Sequence, residues 1–184
     1  MRCRLVGSEM CIRDRQQAIA RLGMHLIAEI ALAASLNSKM FNAPGFEKRI
    51  SEIWDHALCT GLWGKEIARV SKKNVEASFL CGLLHSIGRP VILQAIAEYT
   101  HQQGFSISER EALLLEQIYH IRFGGVIVKR WEMPAIVQEA VQYYANYQNA
   151  PRNRDQAMII HAATHMANAL LWPERFDMAS VAQN

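Results

Sequence analysis

Apolar residues along this chain recur at spacings of three and four, and the pattern predicts about seven helices. Gln16 to Lys39 carries Ile19, Leu22, Leu26, Ile27 and Ile30 on one stripe, until Asn42-Ala-Pro-Gly45 breaks it. A second helix is predicted from Phe46 to Lys73, with Ile50, Ile53, Trp54, Ala57, Leu58, Gly61, Ile67 and Ala68 as its buried positions. Gly61 and Gly64 each weaken a helix by about 1 kcal/mol, so they are expected to mark the close approach of a neighbouring helix. That neighbour is predicted at Val75 to Ile87, where Leu80, Leu83, Leu84 and Ile87 share a face. Gly88 then supplies a residue able to take positive φ at the helix end, which places His85 on the last turn of a core helix.

Pro90 suits the first turn of the next helix, Val91 to Gln103, which Gly104 closes. Ser108-Glu-Arg-Glu111 is a capping box that opens a helix through Leu113, Leu114 and Ile118 toward His120. Gly124-Gly125 is expected to interrupt or bend that segment before it continues through Val126-Ile-Val128 to Trp131. This β-branched run has no partner strand nearby and is read as helical. Pro134 opens a helix from Ala135 to Tyr147, and the polar loop 149–155 leads into a last helix, Gln156 to Leu171, which Trp172-Pro173 ends. The fold class predicted is all-α.

The length of 184 residues and a hydrophobic share of 51% suit one globular domain able to bury a core. Residues 1–15 show no sustained apolar period, and Ser-Glu-Met-Cys-Ile-Arg-Asp-Arg is similar to a translated transposon end used in sequencing-library preparation. They are read as a scar of assembly, or else a disordered arm, outside the domain. Setting them aside leaves 16 basic and 15 acidic residues, which removes any argument for nucleic acid from charge. It also leaves Cys59 and Cys81, both among apolar helical neighbours and read as core fillers in a reducing cytoplasm. The longest unbroken apolar runs are short, so neither a membrane span nor a signal peptide is expected.

Seven histidines remain to be explained. His25 and His101 lie among polar neighbours and are expected to be solvated. His161 and His165 have the i,i+4 spacing that can grip zinc, but no acid or cysteine accompanies them on their helix. A satisfied pair is the better reading. His56, His85 and His120 stand apart because each sits in a recurring context: Trp54-Asp-His56, then Gly82-Leu-Leu-His-Ser-Ile-Gly88, then His120-Ile-Arg-Phe-Gly124 followed by Trp131-Glu-Met-Pro134.

In that order these segments resemble the HDOD family, non-catalytic relatives of the HD-domain phosphohydrolases, over about Ala18 to Leu171. The resemblance implies a helical HD-like bundle whose domain runs over residues 16–172, with front helices missing before Ala18-Ile-Ala-Arg-Leu-Gly23 and a tail of unclear role at 173–184. In the catalytic relatives, a histidine, an adjacent His-Asp pair and a later aspartate hold divalent metal, which lowers the pKa of a bound water. Here the pair reads His85-Ser86, and the later aspartate's place falls on Thr164. Tyr143-Tyr144 stands where a further histidine pair is common. His56, His85, Ser86, His120 and Thr164 therefore read as a degenerate site, with no catalytic residue, metal or cofactor, because hard ions favour oxygen anions. The implied role is a regulatory module of bacterial signal transduction with protein partners, no nucleic acid and no membrane, and with self-association through surface uncovered by truncation. The alternative is a divergent metal-dependent phosphohydrolase built on His56, His85 and His120, with His161 or His165 completing it around a softer ion.

Overall fold

The computed structural model describes residues 41–175. The predicted helix Gln16 to Lys39 and His25 lie outside the described residues. The chain divides into units 1–37 and 38–184, and all described residues belong to the second.

Six α-helices follow one another among the described residues: α1 (Glu47–Val70), α2 (Val75–Leu84), α3 (Gly88–Gln103), α4 (Glu109–Arg130), α5 (Ala135–Tyr143) and α6 (Arg154–Leu171). A 3₁₀ segment, Tyr144–Asn149, joins α5 to α6. The local signals explain most of the boundaries. Gly45 turns at φ +89° ahead of α1, the Asn74 side chain caps α2 by accepting from the Ala77 amide at 2.9 Å, and Gly104 closes α3 in the left-handed region. The Ser108/Glu111 box is formed in both directions.

α2 lies along α1, α6 packs on α1, and α3 pairs with α4. The α1–α2 crossing is as close as its glycines predict. A methyl on Gly82 would lie 2.6 Å from the Gly61 Cα, and one on Gly64 would lie 3.1 Å from the Ser78 carbonyl.

Several expectations need correction. α2 ends at Leu84, with His85 at its C-cap, and the chain turns through 85–87 by i to i+3 bonds such as Ile87 N–H to Leu84 O. Gly88 does not take positive φ, because among the described residues only Gly45 and Gly104 do so among glycines. It is the first residue of α3, and its missing side chain serves contact instead: a methyl there would stand 2.1 Å from the His120 carbonyl oxygen and 2.7 Å from the Gly124 nitrogen. Gly124 completes that contact from within an unbroken α4, so Gly124-Gly125 neither interrupts nor ends the helix. α5 stops at Tyr143 rather than Tyr147, since Asn146 leaves helical geometry at φ −137° and ψ 61°. Leu58 is exposed, because the inner face of α1 is carried by Ala57, Thr60, Gly61 and Gly64.

Among the described residues, one segment, Val75–Gln103, is long and apolar enough by length and composition to cross a membrane. It comprises α2, the turn and α3, and 67% of its apolar 18-residue window is buried inside the fold, so its apolarity is used in the core.

Candidate functional site

The turn from α2 to α3 carries the site, because it fixes His85, Ser86 and Arg89 against α1, α4 and the 3₁₀ segment. His56 and His85 meet with ring centroids 5.3 Å apart. His85 lies edge-on to Tyr144 at 5.1 Å, and the Tyr144 hydroxyl donates to His120 Nε2 at 2.9 Å. On its other side the His56 ring stacks on Trp172 at 5.5 Å. The fold thus assembles the three histidines that the motifs single out. Thr164 stands on α6 with its hydroxyl turned back to the Ile160 carbonyl at 2.7 Å. Ser86 is buried, and its hydroxyl has no hydrogen-bond partner.

Hydrogen bonding sets the proton positions. A carbonyl can only accept, so His85 Nδ1–H donates to Gly82 O at 2.6 Å and His120 Nδ1–H donates to Gln117 O at 2.9 Å. Each neutral ring then presents Nε2 as an acceptor. Burial, reinforced by the neighbouring His56 ring, pushes His85 down to about 3. Burial and the Arg89 charge push His56 down to about 4, and the same two causes lower His120. All three imidazoles are neutral at pH 7.

Three residues that sequence reasoning left out organise the charge. Glu116 is fully buried and accepts from Arg49 Nε at 3.0 Å, Arg49 Nη2 at 2.7 Å and Arg89 Nη1 at 2.5 Å. Burial alone would raise its carboxyl, but the two arginines outweigh it and hold the group below the usual carboxylate range. Arg89 Nη2 also faces His120 Nε2 at 3.3 Å. The signal was available. Glu116 falls on the buried i,i+4 row Ala112, Glu116, His120, Gly124 and Val128, and Arg89 is a lone charge inside the apolar run Phe79 to Leu93. A charge in such a place is rarely unpaired.

A divalent metal does not fit this arrangement. Ser86 and Thr164 offer hydroxyls and no anionic charge to balance it, and the one buried carboxylate among the described residues, Glu116, is engaged by two guanidinium cations that would repel a metal. Among the described residues, no group of three or more His, Cys, Asp and Glu is placed to hold a metal ion. His161 and His165 form a pair with centroids 4.6 Å apart, and His161 Nδ1 donates to Tyr144 O at 3.1 Å. Cys59 and Cys81 are free thiols, Cys81 buried and Cys59 half-buried.

The profile of the HDOD domain matches residues 5–147. The chain belongs to the HDOD domain family. The match begins inside the segment set aside above and stops short of α6. An uncharacterized protein of Treponema pallidum (strain Nichols) is 21% identical over 146 residues, which is 75% of this chain and 28% of that protein. A crystal structure from Shewanella amazonensis SB2B, of a protein named provisionally as a phosphohydrolase, superposes with a TM-score of 0.63 at 19% identity over 87% of this chain and 60% of that one. That likeness shows the all-α, HD-like fold. HDOD domains are relatives of the HD phosphohydrolases, and domains of this family act in bacterial signal transduction through protein partners.

Proposed function

We propose that this HDOD domain regulates by binding proteins of a cytoplasmic signalling pathway, without nucleic acid, membrane or cofactor. His56, His85, Ser86, His120 and Thr164 then shape the core of the domain, which we take to run over residues 16–172, rather than catalyse. One observation carries the reading: the Arg89 guanidinium bonds Glu116 and faces His120, in the midst of the residues that a metal would need. The phosphohydrolase named for the Shewanella protein would require a metal-activated water, and nothing in this donor set suits one.

Leu114, Ile118 and Val126 are exposed on α4, and exposed apolar side chains support protein contact or self-association. Metal analysis and hydrolysis assays of the purified chain test the first part: no stoichiometric manganese, magnesium or zinc and no turnover of phosphodiester or nucleotide are expected. Tight metal together with an activity that is lost in His85→Ala would overturn it. Sedimentation tests the second, with concentration-dependent association expected and a strict monomer against it.

A further inference from the structure

Beside the ion cluster lies a cavity of about 180 Å³, walled in part by Arg49, Arg89, His56, Ser86 and Asn168, with Glu52 on its lining as well. One of its polar atoms, Ser86 Oγ, is buried without a partner, whereas the His56 ring is within reach of the Asn168 side chain. Ser86 is only 2% exposed, and a buried polar group left unpaired calls for an explanation. The electrostatics supply one. Two guanidinium charges share the single carboxylate of Glu116, whose side chain is 1% exposed. The second positive charge meets only Glu52 at the cavity rim. Glu52 offsets it only loosely, at 3.5 Å from Arg49 and with its side chain 36% exposed to screening by water. The neutral imidazoles add no charge of their own.

We propose that this cavity binds a small oxyanion, a carboxylate or phosphoryl group, which accepts from the Ser86 hydroxyl and from the guanidinium groups of Arg89 and Arg49. Guanidinium presents its N–H donors in the plane that such groups match. The cavity suits a single anionic group and not an extended ligand, being below the several hundred Å³ usual for larger small molecules. Asn168 lines the same wall with its side chain beside His56. Binding here makes the domain a carrier of a small-anion signal. The inference stands independently of the protein-binding reading above.

Thermal unfolding and calorimetry at pH 7 test it, with inorganic phosphate and acetate as separate probes and sodium chloride as the ionic-strength control. At least one probe is expected to raise the unfolding midpoint saturably, as any ligand of the folded state alone must. A response to phosphate alone assigns the phosphoryl group, and a response to acetate assigns the carboxylate. Ser86→Ala is expected to fold as well as the parent without anion, since it removes an unpaired hydroxyl, and to bind at least about fivefold more weakly. Glu52→Gln, at the more exposed rim, is expected to bind about threefold more tightly by removing a repelling charge. No saturable response to either anion up to about 50 mM, beyond that of chloride, would overturn the proposal. So would a Ser86→Ala protein that binds as tightly as the parent.

Discussion

Two helix contacts in this domain are built on glycine, and they differ in what surrounds them. At the first, α1 meets α2 through Gly61 and Gly82, against Phe79 and Thr60. At the second, Gly88 opens α3 against His120 and Gly124 of α4, beside Arg89, Glu116 and Tyr144. The first contact only has to bring two backbones together. The second also fixes a buried charge cluster, since Arg89 reaches Glu116 and His120 from the residue next to Gly88. A methyl group at the first would push two helices apart, whereas one at the second would also displace the ion cluster.

The largest effect should come from Gly88→Ala, whose methyl meets the His120 carbonyl at 2.1 Å. A loss of about 4 kcal/mol or more is expected, read from denaturant unfolding. Gly82→Ala should destabilise too, by about 3 kcal/mol, but with the His120–Tyr144 contact preserved. Equal spectroscopic disturbance at His120 in both variants would remove the distinction between the two contacts.

Glu116→Gln comes next. It leaves two guanidinium groups without their carboxylate and should lower stability by about 3 kcal/mol. A denaturation midpoint unchanged from the parent would mean that water already satisfies the arginines.

The dependence on pH is smaller and graded. His56 and His85 are neutral in the fold down to about 4 and about 3, from an ordinary value of 6.5. Below 6.5 the unfolded chain therefore binds more protons than the folded one, so stability falls as pH drops from 6.5 toward 4. Each ring contributes at most about 1.4 kcal/mol per pH unit. Glu116 adds a further loss at still lower pH, because its carboxyl is held below its ordinary value. Unfolding measured at pH 7 and pH 5 checks the sign, and equal stability at the two would contradict neutral, buried rings.

The smallest effect is expected at Leu58→Ala. Its side chain is 41% exposed, and a change within about 0.5 kcal/mol should appear in the same assay. A larger loss would place Leu58 in the core after all.

Those contrasts also mark what the sequence could and could not say. Among the described residues periodicity located the helices, and Ser108-Glu-Arg-Glu111 placed the start of α4, because a cap is local chemistry. Gly61 and Gly64 announced the first contact, because glycine inside a helix is unfavourable unless something approaches. Gly88 was misread, because a glycine after a helix serves equally as a left-handed stop or as a contact point, and only the position of α4 decides between them. Leu58 was misread for a related reason: small residues one turn away took the buried face, and hydrophobicity alone ranked leucine above Thr60. The motif histidines were legible as a group, yet the arginines and Glu116 were not, because an ion cluster drawn from three helices leaves no spacing in the chain. The i,i+4 row through Glu116 and His120 and the lone charge of Arg89 in its apolar run were the local traces of it.

The central claim is that a fixed guanidinium and neutral histidines occupy the place of a metal centre. Histidine titration by nuclear magnetic resonance tests it most directly, following the imidazole signals of His56, His85 and His120 from pH 8 to pH 5, with and without added zinc. His56 and His85 should stay neutral across that range, His120 should titrate only below its ordinary value, His85 and His120 should carry their protons on Nδ1, and zinc should leave their signals in place. A ring among them that titrates near 6.5, or signals that move together at one equivalent of zinc, would contradict the account.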